Sequence, residues 1–367
     1  MADIRVSKLA KLLVNYSLRL KKGDTFMINC KTACEPLLKE VYKEAILAGA
    51  HPIVFNNPEE LNEIFLKYGS DEQLSYVPPY SLDLIKTVDA YLTICGEHNT
   101  KSFSNIDPTR MKLRSQAMAE YSKIYMERMG NGSLRWCGTQ FPTNGSAMDA
   151  EMSLSEYEDF VYGAGHIDSE DPVAHWMKVH EEQERLVKIL NTKSEFEIIA
   201  KDTHLKLSAK GRTWENCDGK VNFPDGEIFT SPVEESINGH IRYTYPAIYN
   251  GREVEDIILT FKDGKVVDAK AAKGEDYLLQ MLDIDKGSRY VGEFAIGTNY
   301  GIKKFTKNIL FDEKIGGTIH IAVGAGMPEC GGKNVSSLHW DMICDMKNGG
   351  EIYADGELIY KDGKLII

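Results

Sequence analysis

TIHIAVGAGMPECGGKNVSSLHWDMICD, residues 318–345, places two histidines and an aspartate in a pattern that fixes how the C-terminal half is built. Thr318–Val323 and Ser336–Cys344 alternate between apolar and polar residues with period two, which predicts two strands. His320 then shares a face with Thr318 and Ala322, while Ile319, Ile321 and Val323 point the other way. On the second strand His339 and Asp341 share one face, and Leu338, Trp340 and Met342 take the opposite one. An imidazole and a carboxylate two residues apart on a rigid strand suit metal ligation. The connecting GAGMPECGGKN is rich in glycine, which adopts backbone conformations that other residues resist. The segment reads as the metal-binding centre of a hydrolase.

The rest of the chain bounds this reading. At 367 residues it is long enough for two domains, and 43% hydrophobic with 27% charged residues is ordinary for a globular protein. A formal net charge of −12 argues against nucleic acid as a partner, because phosphate affinity comes mainly from Lys and Arg. No apolar run reaches the length of a membrane span, and the N-terminus lacks a signal-peptide core. The seven cysteines are odd in number and dispersed, which predicts a reducing, cytoplasmic setting. Cys30 and Cys34 form no CxxC pair, so a thiolate zinc site is not expected.

Strand and helix alternate through the first half. Helices are expected at Val6–Leu20, Glu35–Ala48, Asn62–Tyr68 and Pro108–Met129. Strands are expected at Thr25–Asn29, Pro52–Phe55, Ala90–Cys95 and Leu134–Gly138. Such βαβ repetition predicts an α/β N-terminal domain, residues 1–190, with a mostly parallel sheet. No GxGxxG follows a strand and no GxxxxGK[ST] occurs, so nucleotide binding has no support. His51, His98, His166, His175 and His180 stand apart from one another. The His180–Glu184 run lacks the second histidine of an HExxH helix and reads as the solvated face of a helix over Val173–Leu190.

From Ser194 the texture changes to short strands with Asp-Gly hairpin turns at Asp263, Asp355 and Asp362. An α+β domain of largely antiparallel strands, residues 191–367, is expected to carry the metal site. Glu227, taken alone, reads as an ordinary exposed carboxylate. Glu293 lies inside the apolar run YVGEFAI, where a charge is costly unless paired or metal-bound. His240 is as readily structural as functional, and Asp312-Glu313 reads as a solvated turn. Glu227, Glu293, His320, His339 and Asp341 together make a carboxylate-rich donor set that suits a pair of divalent ions better than one structural zinc. The ions could be Zn, Co, Mn or Mg.

At these residues the chain resembles the M29 family of metallo-aminopeptidases, the aminopeptidase T and aminopeptidase S group. The likeness is carried by GEIFTSP with Glu227, RYVGEFAIG with Glu293, NILFDEKIGGTIHIAVG with His320, and GGKNVSSLHWDMICD with His339 and Asp341. RWCGTQFPT at 135–143 is similar to a segment of the family's N-terminal domain. The resemblance implies a dimeric two-domain exopeptidase with a binuclear site in its C-terminal domain, whose five protein ligands match these five residues. It also implies a tyrosine seven residues after the first ligand histidine, where this chain has Met327. A thioether cannot donate the phenolic hydrogen bond that would steady an oxyanion.

The expected activity is release of the N-terminal residue from short peptides with a free α-amine, through a water held by two metals. Glu293 is the candidate shared ligand, and Glu329, beside the Gly-rich turn, is the candidate base, with a solvated loop carboxylate as its plain reading. Two alternatives stay open. One is a dimetal amidase or esterase acting on a non-peptide substrate. The other is a noncatalytic protein retaining a vestigial metal site, which Met327 keeps in view.

Overall fold

The computed structural model describes residues 3–367. The chain divides into two compact units, Met1–Val173 with Gly219–Pro224, and Ala174–Asp218 with Asp225–Ile367. The boundary expected near residue 190 falls at the end of the helix Pro172–Leu190, whereas this division falls in its first turn and includes one short return at 219–224.

The first unit holds a five-stranded, wholly parallel sheet. Its strands run in the order His51–Asn57, Thr25–Lys31, Ala90–Cys95, Arg135–Gln140 and Asn222–Phe223. The helix Glu35–Leu47 shows why helices cover such a sheet. Leu37, Leu38, Val41 and Ala45, spaced by helical turns, are its buried residues. The expected long helix over 108–129 is two, Pro108–Ala117 and Ala119–Gly130. Leu154–Ala164 opens with a capping box in which Ser153 and Glu156 satisfy each other's backbone N–H, a signal present in the sequence as Ser-x-x-Glu. No described helix is long and apolar enough to cross a membrane.

The second unit is built from antiparallel sheets. One has eight strands, in the order Lys265–Lys270, Ile258–Lys262, Asn238–Arg242, Thr203–Ser208, Glu195–Ala200, Glu351–Ala354, Glu357–Lys361 and Lys364–Leu365. The other has five, in the order His339–Asp345, Thr318–Gly324, Val291–Gly297, Glu227–Thr230 and Glu215–Cys217. The parallel-then-antiparallel organisation expected from the sequence is the observed one. A single apolar core joins the two sheets: Phe196, Ile198, Leu205 and Leu259 of the larger meet Ile228, Phe294, Ile319, Ile321, Trp340 and Met342 of the smaller. Burial of that face, at about 25 cal/mol per Å² of apolar surface, pins the register of every strand in the smaller sheet. Residues one position out of phase must therefore face the other way. Those are the residues with chemistry.

Candidate metal centre

On the face of the five-stranded sheet turned away from the core, adjacent strands set the polar residues side by side. Glu293 lies opposite Ala322, and Ala322 lies opposite Asp341, so two carboxylates flank a small residue. His320 sits opposite Ala295, and His339 opposite Gly324. The faces read from period two hold: Ile319, Ile321, Val323, Trp340 and Met342 enter the core while His320, His339 and Asp341 take the opposite side.

Two local devices aim these side chains. The register shifts between Val291 and Glu293, leaving Gly292 as an extra residue. That bulge lets Val291 join the core with Phe294 and Ile296 while Glu293 faces the site. Gly324, at φ +106° where the strand ends, lies so close to Leu338 that an added Cβ would fall 2.1 Å from its carbonyl oxygen.

The donor atoms converge. The Nε2 of His320 lies 3.6 Å from Glu227 Oε2, 3.4 Å from Glu293 Oε1 and 3.8 Å from Asp341 Oδ1. The Nε2 of His339 lies 3.4 Å from Glu293 Oε2 and 3.5 Å from Asp341 Oδ1. These spacings are long for hydrogen bonds. Two ligands bound at about 2.0–2.2 Å to one ion at a tetrahedral angle stand roughly 3.3–3.6 Å apart. Two donor groups result, Glu227–Glu293–His320 and Glu293–His339–Asp341. Glu293 belongs to both and turns one oxygen to each imidazole.

Both rings are held by their far nitrogen. His320 Nδ1–H donates to the Glu313 carbonyl and His339 Nδ1–H to the Ala325 carbonyl, each at 3.0 Å. That leaves each Nε2 to face the carboxylates, the orientation a metal-binding imidazole requires. Glu227 Oε2 is buried without a hydrogen-bond partner, a costly state for a carboxylate oxygen unless a cation completes it. This chemistry fits divalent-cation ligation.

The charges of the centre point the same way. Burial pulls the His320 imidazole down, but Glu293, Glu227 and Asp341 outweigh it and push it up to about 10. Burial likewise opposes His339, which Asp341 and Glu293 raise to about 12. Burial would raise Asp341, yet His339, His320 and Lys314 bring it down to about 2. Burial dominates at Glu227 and lifts it to about 8, with Lys314 opposing. A pocket whose carboxylates raise both imidazoles this way favours positive charge, which a divalent ion would supply.

Three findings correct the sequence expectations. Glu227 is 5% exposed, not an ordinary surface carboxylate, because it opens a strand whose residues are all buried. Asp312-Glu313 is not a solvated turn. Asp312 is buried and accepts from the backbone N–H and hydroxyl of Thr306, and burial raises it to about 7. Glu313 holds the His320 ring and, with His320 and Asp341, forms a further donor group. Finally, burial barely sets Glu293 apart, at 4% exposed against 5% for Glu227. Its distinction is that its two oxygens face different imidazoles.

Sequence reasoning missed Lys314 and Gln183. The Lys314 side chain is fully buried, with Nζ 3.3 Å from Glu227 Oε1, 3.9 Å from Asp225 Oδ1 and in contact with Glu313 Oε1. Gln183, inside the charged run of its helix, is buried, and its amide donates to Asn216 Oδ1 and to the carbonyls of Cys217 and Glu227. Its Oε1 accepts from the Thr298 hydroxyl. The only sequence hint of Gln183 is an uncharged residue among four charged neighbours, Glu181, Glu182, Glu184 and Arg185. Lys314 gave none.

The remaining candidates lie apart. Met327 packs beside Phe229, Ala295 and Cys330 on the site's face, and its N–H donates to Ser231 Oγ. Glu329 is exposed on the single turn Pro328–Cys330 and belongs to no donor group among the described residues. His240 is exposed on the other sheet.

Residues 2–365 match the family described as Thermophilic metalloprotease (M29). The chain belongs to the M29 metalloprotease family. Curated relatives include Aminopeptidase 2 of Geobacillus stearothermophilus, 28% identical over 98% of this chain and 95% of the relative. Aminopeptidase AmpS of Bacillus subtilis is 24% identical over 98% of both chains. The fold matches that of wild-type AmpT from Thermus thermophilus with a TM-score of 0.88, at 22% identity and over 99% of each chain.

Proposed function

We propose that this M29 enzyme releases N-terminal residues from short peptides by means of a water held between two divalent ions. Family membership and the aminopeptidase relatives make the chain a metallo-aminopeptidase. The observation that carries the two-ion reading is Glu293, one of whose oxygens faces His320 and the other His339. Glu227, Glu293 and His320 would hold a deep ion, and Glu293, His339 and Asp341 an outer one. A bound pair of ions supplies a hydroxide-like nucleophile near neutral pH and polarises the scissile carbonyl.

The protein's own groups do the rest. The Glu313 and Ala325 carbonyls keep both imidazoles turned inward, so binding needs little rearrangement. A substrate's free α-amine would coordinate an ion or meet a carboxylate at the more open end. A blocked amine would lack that attraction, which restricts the enzyme to chain ends. Met327 lines the site's face with a thioether, so any oxyanion must be steadied by other donors.

We assign the catalytic domain to residues 191–367, since all five candidate ligands follow residue 190. The seven free cysteines support a cytoplasmic setting, and the homodimer rests on the family likeness. The test is hydrolysis of leucine amide and of its N-acetylated form by chelated protein with Zn, Co, Mn or Mg restored. Metal-restored cleavage of the free-amine substrate alone is expected. Cleavage of both would favour a broader amidase, and no cleavage at full metal loading would defeat the peptidase reading.

A further inference from the structure

Beside the two groups assigned to ions, and apart from the Glu313 group, lies another, Cys217, Asp225 and Glu227, with donor atoms again within 4.8 Å of one another. It adjoins the deep end of the centre through their shared member, Glu227. Two acids and a thiol at this spacing would ordinarily invite a divalent ion. Lys314 Nζ already stands there, 3.3 Å from Glu227 Oε1 and 3.9 Å from Asp225 Oδ1, touching Glu313 as well. Its side chain has no exposure to solvent. A buried ammonium is expensive unless closely paired, and here three carboxylates surround it.

We propose that Lys314 is a resident cation that occupies this third position, bars divalent ions from Cys217, and so confines metal to the two neighbouring groups. The ammonium engages Glu227 Oε1 and leaves Oε2, the oxygen without a partner, turned toward His320. Glu227 is thereby shared between a fixed cation and an exchangeable one. Lys314 is a positioning residue, because it acts through Glu227. The inference rests on the two-ion reading above.

Cobalt distinguishes the possibilities, since coordination by a thiol drives its proton to solvent and forms a cobalt–thiolate bond with intense near-ultraviolet charge-transfer absorption. Chelated full-length protein would be dialysed against cobalt, and bound ions counted. The wild type should show no thiolate band. Lys314→Ala should bind one further cobalt per chain with the band present, and adding Cys217→Ser should remove that band. Lys314→Arg, which keeps a cation, should resemble the wild type. Lys314→Met preserves the alkyl stem and serves if the alanine variant does not fold. A band in the wild type, or a folded alanine or methionine variant with unchanged cobalt count and no band, would overturn the proposal. A wild type holding one cobalt would instead sink the two-ion reading, and the band comparison would still report on Lys314.

Discussion

The two ends of the metal centre are built from similar donors and differ in what surrounds them. At the deep end the His320 side chain is 1% exposed and Glu227 is clamped by Lys314. At the outer end the His339 side chain is 30% exposed and Asp341 12%. Glu293 joins the two. An ion bound by buried, braced ligands has few routes of escape, whereas one beside an open imidazole exchanges readily with solvent. On the proposed two-ion reading, the centre would pair a retained position with a responsive one, and chemistry that needs substrate access would belong to the outer end.

His320→Ala strikes hardest at this contrast. It should empty the deep position and lower turnover more than about a thousandfold, beyond the ten- to hundredfold typical of residues that only support a ligand. Metal counting alongside turnover would show it, and equal losses from His320→Ala and His339→Ala would erase the distinction. His339→Ala should cost about a hundredfold and recover part of the rate in excess metal, because its position is open to solvent. Gln183→Leu leaves the Glu227 carbonyl and its neighbours short of a donor, so it should lower stability by about 1–3 kcal/mol, read by denaturant unfolding.

Titration sharpens the comparison further. In chelated protein both imidazoles have raised values, about 10 for His320 and about 12 for His339. The stability they contribute is complete below about 6.5, the unfolded value, and is lost as pH rises through those two values. The melting temperature of chelated protein should therefore fall as pH rises above about 6.5, until about 10 for the His320 part and about 12 for the His339 part. Metal displaces those protons and the one that Glu227, lifted to about 8, holds near neutral pH, so loading there should release between about two and three per chain, measurable by calorimetry in buffers of different ionisation heat. Release of none would contradict the charged-imidazole picture. The smallest effect belongs to Glu329→Gln, expected to change turnover less than about twofold because that carboxylate is exposed and outside every donor group.

What was legible in the chain follows from what period two can encode. Alternation around His320 and around His339 and Asp341 put these three residues on the face that the structure gives them, because the apolar half of each strand had to meet the larger sheet. The βαβ rhythm of the first half and the Asp-Gly hairpins of the second likewise showed two kinds of sheet. Alternation cannot reveal which polar turn folds back under the site. Asp312-Glu313-Lys314 has the composition of a solvated loop, and only the closure of neighbouring strands buries it. Gln183 was hidden for a related reason, as its helix is charged on the face that meets water and carries one amide on the face that does not.

The bulge at Gly292 makes the active strand a sequence with a change of parity. Before it, odd-numbered Val291 belongs to the interior, and after it, odd-numbered Glu293 and Ala295 belong to the site. Were Gly292 paired in regular alternation instead of bulged, one of the two sets would be misplaced: either valine would displace a ligand or a carboxylate would be driven among Phe196, Trp214 and Phe294. The residue that absorbs the extra step must also stay bare, since a Cβ at 292 would fall 1.9 Å from the Ala325 carbonyl oxygen.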